Sequence, residues 1–503
     1  MAAPRTVGDL RASGAKVVPV KEELRRNLVR KLRAGERLFP GIVGYDKTVL
    51  PALQNAILAK HDFILLGLRG QGKSRILRQL ANLLDEAVPV VPGCPVNDHP
   101  LAPICKACLR TVTDQTEIGW LQRGDRYREK LATPDVTMAD LIGDIDPIKA
   151  ANERRSLSDE EIIHWGILPR THRGIFAINE LPDLQTRIQV GLLNIMEERD
   201  VQVRGFPVRL PIDVCIVYTA NPEDYTNRGT IITPLKDRID SQIMTHYPAS
   251  LEDSAAITRQ EAWTERGQVC EVRIPNLVRE LVEELAFQAR KSEFVDQGSG
   301  VSARMPISAL ENVVSNGERR ALRTGEARVV PRICDLFAAV PAIAGKIELV
   351  YEGEREGVSV VAKRIVGQAV QAAFKRVFPD AYASRPAKPG KGRSGPGTKD
   401  APLDETVYKP VLEWFARGNR VEINDSMSSG EYARALDQVP GLRELAERHL
   451  RPAEDELALA MEFVLEGLHQ NSLVAREDLE SSVSYKDMLK SMFESMGAPR
   501  GEE

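Results

Sequence analysis

The sequence predicts an α/β phosphate-loop core, a parallel sheet with flanking helices, followed by an all-α lid and a C-terminal helical domain. Three observations predict it. Residues 36–250 alternate apolar strand-like runs with helical ones, a loop of the form G-x-x-x-x-G-K-[ST] follows the first clear strand, and beyond residue 251 the strands give way to helical spacing. Alternation of this kind places a parallel sheet between layers of helix.

A chain of 503 residues is too long for one core and suggests two to four domains. Residues 1–35 are an N-terminal helical extension, with Leu24, Leu28 and Leu32 at i, i+4, i+8. Residues 36–250 form the α/β domain, and 251–384 form the lid, as the run Leu277 to Leu285 suggests. Residues 385–402, rich in Pro, Gly and Lys, cannot bury a core and read as a flexible linker. Residues 403–503 follow as the C-terminal domain, with helical spacing over 403–417 and 452–469.

The net charge of -4, with 28% charged residues of mixed sign, gives no electrostatic reason to bind nucleic acid. No apolar run is long enough to cross a membrane, and the first residues lack the apolar core of a secretory signal, so a cytoplasmic location is expected. Six cysteines in so long a chain point to reduced thiols or a metal site, not a disulfide framework.

The strand Phe63 to Leu66 leads into Gly67-Leu-Arg-Gly70-Gln71-Gly72-Lys73-Ser74 and then into helix-forming Ile76 to Leu80. Strand, glycine turn and helix N-terminus together let backbone N–H groups surround phosphate oxygens, which predicts a nucleoside triphosphate, ATP, as ligand. Lys73 is then expected to reach the β and γ phosphates, and Ser74 to ligate Mg²⁺. Two further strands bear on the chemistry. Gly174 to Ile178 ends in Asn179-Glu180, and Val214 to Thr219 continues into Ala220-Asn221-Pro222. Asn221 could sit between the other motif strands and orient a water against the γ phosphate, although Asn-Pro is also an ordinary turn signal.

Taken together, these motifs resemble the AAA+ ATPases, and within them the magnesium-chelatase I subunit and MoxR-type group. The resemblance is carried by Phe39 to Tyr45, Gly67 to Ser74, Leu131 to Asp146, Gly166 to Gly174, Ile178 to Leu181, Ala220 to Glu223 and Pro234 to Ile239, in the family's order over roughly residues 36–345. It implies that Glu180 polarises the attacking water and that position 179 serves the Mg²⁺ shell. In the family an Asp stands there. Asn179 keeps an acceptor oxygen but lacks the charge, which is expected to weaken Mg²⁺ organisation while leaving Glu180 as the base. The resemblance further implies Ile42 and Val43 in the adenine pocket, Asn221 as first sensor, Arg304 as second sensor, and Arg238 as an arginine finger acting on a neighbouring copy, hence a ring, expected to be a hexamer. Arg238 also reads as an exposed helix arginine. Residues 197–211 read as a β-hairpin around Arg204-Gly205-Phe206, either a partner contact or purely structural.

Cys94, His99, Cys105 and Cys108 give C-x4-H-x5-C-x2-C, a spacing that could close a zinc site or simply place reduced thiols in a core. Asn424 to Ser429 is similar to the metal loop of von Willebrand A domains, but Met427 stands at the middle Ser position and a solvated loop is expected. The resemblance implies a ring ATPase that remodels a protein partner bearing a von Willebrand A domain. A magnesium chelatase motor subunit and a nucleotide-dependent scaffold with feeble hydrolysis are the alternatives. The C-terminal domain is expected to dock a client or to pack against the lid.

Overall fold

The computed structural model describes residues 4–154, 160–203, 209–222, 231–267, 269–379, 407–479 and 482–488. The chain divides into two compact units, Met1–Tyr247 and Pro248–Glu503.

At the centre of the first unit lie five parallel strands: β1 (Phe63–Leu66), β2 (Tyr127–Leu131), β3 (Gly174–Asn179), β4 (Val214–Ala220) and β5 (Ser241–Met244), in the order β5-β1-β4-β3-β2. The three inner strands are buried along their length, as strands covered on both faces must be. Alternate side chains feed two separate cores. Ile64, Phe176, Ile178, Ile216 and Tyr218 point into one, and Phe63, Leu65, Ile175, Ala177, Cys215 and Val217 into the other. Both edge strands, Tyr-Arg-Glu-Lys-Leu and Ser-Gln-Ile-Met, are polar and partly exposed. Their composition hides them from apolar pattern reading.

The N-terminal extension belongs to this unit. Helix Val20–Arg33 buries Leu24 and Leu28 in the second core, while Leu32, in its last turn, is exposed. Glu23 on the same helix forms a buried two-pronged pair with Arg126, at 2.7 and 2.6 Å. Such a pair is strongly destabilising to break, because either partner alone is an uncompensated buried charge. The stems of the hairpin, Asp200–Gln202 and Arg209–Pro211, pair antiparallel, and its centre, Arg204 to Phe206, lies outside the described residues.

In the second unit, helices Asn276–Ala289, Arg304–Thr324 and Val358–Val377 share one hydrophobic core with Leu457–Gln470 near the C-terminus. The segment 385–402, read as a linker, stands between these parts in sequence and lies outside the described residues. Lid and C-terminal region are also joined by buried polar contacts. Glu462 accepts from the Ile333 and Cys334 amides at 2.7 and 3.0 Å, and Arg332 donates to the carbonyls of Asn424 and Met427. The C-terminal region thus packs against the lid, one of the two expectations for it. This region also contains an antiparallel sheet of Val421–Asn424, Ser482–Asp487 and Val474–Asp478, with the second in the middle. The loop from Asn424 ends in a helix cap, where Ser428 and Glu431 form a capping box for helix Ser429–Asp437.

Candidate nucleotide site

The loop between β1 and helix Lys73–Gln79 is held in shape by the far end of β5. Thr245 donates to the Gln71 side-chain oxygen at 2.6 Å, and the Tyr247 hydroxyl donates to the Arg69 carbonyl at 2.8 Å. The Tyr45 hydroxyl lies 2.8 Å from the Gln71 carbonyl. A Cβ on Gly67 would overlap the Thr245 hydroxyl and the Gln71 amide, so only glycine fits there. Gly72, with φ +74°, turns the chain into the helix, and no side chain caps that helix N-terminus. Lys73 is buried, its ammonium folded onto the carbonyls of Gly67 and Leu68, the latter at 3.1 Å.

Register brings the other motif residues to the same edge. Leu66 is level with Ala220, and Tyr218 with Ile178, so Gly67, Asn221 and Glu180 leave their strands side by side. In open α/β sheets this carboxyl edge is where ligands bind. Ser74 donates to the Asn179 side-chain oxygen at 3.4 Å, Thr219 donates to the same oxygen at 3.3 Å, and Thr219 accepts from the Glu180 amide at 3.0 Å. Glu180 takes φ +56°, a left-handed conformation uncommon outside glycine. Strain of this kind concentrates at functional positions. The Asn221 side-chain oxygen is buried and has no hydrogen-bond partner among the described residues.

The sequence reading did not include three polar neighbours. Thr219 is fully buried and bridges Asn179 to Glu180; Thr245 fixes Gln71; and Glu129 on β2 forms a two-pronged pair with Arg78, as close as 2.6 Å. Arg78, with help from Tyr127 and Asn179, holds the Glu129 carboxyl below the usual range. A carboxylate thus stands beside Asn179, on the neighbouring strand. Strand register was the signal needed to find it.

Ile42 is buried in the core against which the loop helix packs, and Val43 beside it is half-buried. Arg238, at the end of helix Thr233–Arg238, donates to Glu197 at 3.1 Å and to the Pro234 carbonyl at 3.0 Å within its own chain. Arg304 is exposed at the start of helix Arg304–Thr324 in the second unit.

Of the four residues expected at a zinc site, the structure assembles Cys94, Cys105 and Cys108, with Asp98 and not His99 as the fourth. The His99 ring is engaged elsewhere, its Nδ1 accepting from the Leu101 amide at 3.0 Å, and burial lowers its pKa to about 4.

The groups along the sheet edge fit a nucleoside triphosphate with its divalent cation. An uncapped helix terminus and Lys73 suit phosphate, the Ser74 hydroxyl beside the Asn179 oxygen suits a hard cation, and Asn221 carries an unused acceptor. No family model matches the sequence, nor does any curated protein. Among solved structures, the chain is similar to the complex of subunits BchI and BchD of magnesium chelatase, at 21% identity over 63% of this chain and 98% of that one, with a TM-score of 0.33. It is also similar to NtrX from Brucella abortus, at 13% identity over 58% of this chain and 55% of that one, TM-score 0.33. For NtrX in complex with ADP the identity is 12%, over 61% of this chain and 52% of that one, TM-score 0.31. The chain thus spans about half the length of NtrX.

Proposed function

We propose that the chain is an ATP hydrolase of the AAA+ type that binds Mg-ATP along the carboxyl edge of its sheet. The observation that carries this reading is the convergence of the Gly67–Ser74 loop with Asn179-Glu180 and Asn221, three segments far apart in sequence and adjacent through strand register. In this reading the loop amides and the helix terminus bind phosphate oxygens, which take over from the Gly67 and Leu68 carbonyls as acceptors for Lys73. Ser74 and Asn179 hold the cation. Bound Mg²⁺ supplies charge neutralisation across the β and γ phosphate oxygens. Glu180 takes the proton of the attacking water, and Asn221 orients that water with its free acceptor oxygen. Ile42 and Val43 line the base pocket, and Arg238 acts on a neighbouring copy in a ring.

A second reading, a nucleotide-dependent scaffold with weak hydrolysis, is favoured by one observation: position 179 carries an amide, so the cation has one charged ligand fewer. Remodelling of a protein partner with a von Willebrand A domain rests on the sequence resemblance. ATP turnover by the wild-type chain and by Glu180→Gln separates the first two readings. The hydrolase reading expects Glu180→Gln to bind ATP and lose turnover by roughly 10²–10⁴, the usual worth of a general base. Equal, feeble turnover in both would favour the scaffold.

A further inference from the structure

The first unit contains a second cluster of ligating groups, independent of the nucleotide edge. One ligand atom from each of Cys94, Asp98, Cys105 and Cys108 lies within 4.8 Å of all the others. The Cys94 and Cys105 sulfurs are 3.9 Å apart. Two thiolates on a tetrahedral Zn²⁺, each with a bond of about 2.3 Å, stand roughly 3.8 Å apart. The observed separation therefore matches a shared metal and is far too long for a disulfide bond of about 2.05 Å.

Asp98 provides the second observation. Its side chain is fully buried, and one carboxylate oxygen accepts from the Ile104 and Cys105 amides at 3.1 and 3.0 Å. The other oxygen is buried and has no partner among the described residues. An unpaired carboxylate oxygen in an apolar core is costly, and a cation among three sulfurs would satisfy it. The sulfurs are prepared as well: the Asp98 amide points at Cys94 Sγ and the Cys108 amide at Cys105 Sγ, both at 3.4 Å. Such donors stabilise a thiolate more than a thiol. The two amides that hold Asp98 and the turn at Cys105 fix ligand directions before metal arrives.

We propose that Cys94, Asp98, Cys105 and Cys108 form a closed, structural Zn²⁺ site with three thiolate ligands and one carboxylate. Soft sulfur with one hard oxygen, four ligands and no open position is the pattern of a structural zinc. On binding, Zn²⁺ replaces the three thiol protons, which leave to solvent. The metal would fasten residues 94–108 to the sheet, since Val96, Cys105 and Cys108 already pack in the core of Ile64 and Phe176.

Elemental analysis of the full chain, purified anaerobically with reductant, should find about one zinc per chain. Asp98→Asn should lower Zn²⁺ affinity by at least about tenfold, the smaller end of what loss of even an outer-shell partner costs. Cys105→Ser should do the same or worse, and His99→Gln should retain the full complement. Should the variants fail to fold, Co²⁺ exchanged into wild-type protein gives an independent reading through sulfur-to-cobalt charge transfer and the intense visible bands of a tetrahedral site. Zinc lost in His99→Gln but kept in Asp98→Asn would overturn the ligand set. Metal-free wild-type protein that takes up neither Zn²⁺ nor Co²⁺, or that carries a Cys94–Cys105 disulfide, would overturn the site.

Discussion

Glu462 in the second unit and the strand ends of the first are both polar settings inside a fold, and they differ in how far their valences are filled. Glu462 is fully buried and accepts three hydrogen bonds, from the Ile333 and Cys334 amides and from the Tyr432 hydroxyl at 2.5 Å. At the sheet edge, Asn221 has a buried oxygen with no partner among the described residues, the loop helix has no side-chain cap among them either, and Glu180 is held at positive φ. A network with every donor used fixes one packing of two segments. Open valences and a strained acid instead cost stability, and persist where a ligand completes them. The difference teaches where to look for function: Asp98, with one oxygen satisfied and one open, belongs with the sheet edge.

Arg238 tests the comparison most severely, because it is paired with Glu197 in its own chain and yet is assigned to catalysis. If it acts on a neighbour's nucleotide, Arg238→Ala should still assemble while turnover falls by about 10³–10⁵, the range for an arginine finger. Its loss as a surface pair should cost at most about 1 kcal/mol of stability. Unchanged turnover would make it an ordinary exposed helix arginine.

Glu462→Ala addresses the other side. It leaves the buried Ile333 amide and the part-buried Cys334 amide without acceptors, at about 1–3 kcal/mol each, so unfolding in urea should show a loss of roughly 2–6 kcal/mol. A change under about 0.5 kcal/mol would mean the junction of lid and C-terminal region does not depend on that network. The smallest effect is expected at position 179. Restoring the carboxylate with Asn179→Asp should lower the Mg²⁺ needed for half-maximal turnover by roughly five- to thirty-fold, as one added charge worth 1–2 kcal/mol would. Unaltered Mg²⁺ dependence would indicate that Glu129, beside Asn179, already supplies the field.

Much of the sheet edge was legible because its chemistry is contiguous: Gly67 to Ser74, Asn179-Glu180 and Asn221 each end a strand that apolar residues announce. Edge strands β2 and β5 were not legible, being short and polar on their exposed faces. The sheet containing Val421–Asn424 escaped for a related reason, since its partners, Val474–Asp478 and Ser482–Asp487, mix Ser, Lys, Arg and acids among few apolar residues. Thr219, Thr245 and Glu129 needed register, which spacing in sequence does not give. The cysteine spacing points to His99, since imidazole is a common zinc ligand beside cysteine, and says nothing of Asp98 next to it. One residue of difference turns the side chain from the sulfurs to the Leu101 amide, and only backbone direction decides it.

The central claim is nucleotide binding through the Gly67–Ser74 loop, and calorimetric titration of Mg-ATP into wild-type chain and Lys73→Ala tests it most directly. Losing charge-assisted contacts worth about 1.5–3 kcal/mol each should weaken binding by about 10²-fold or more in Lys73→Ala, with the wild type saturating at one ATP per chain. Equal affinities, or no binding by the wild type, would contradict the account.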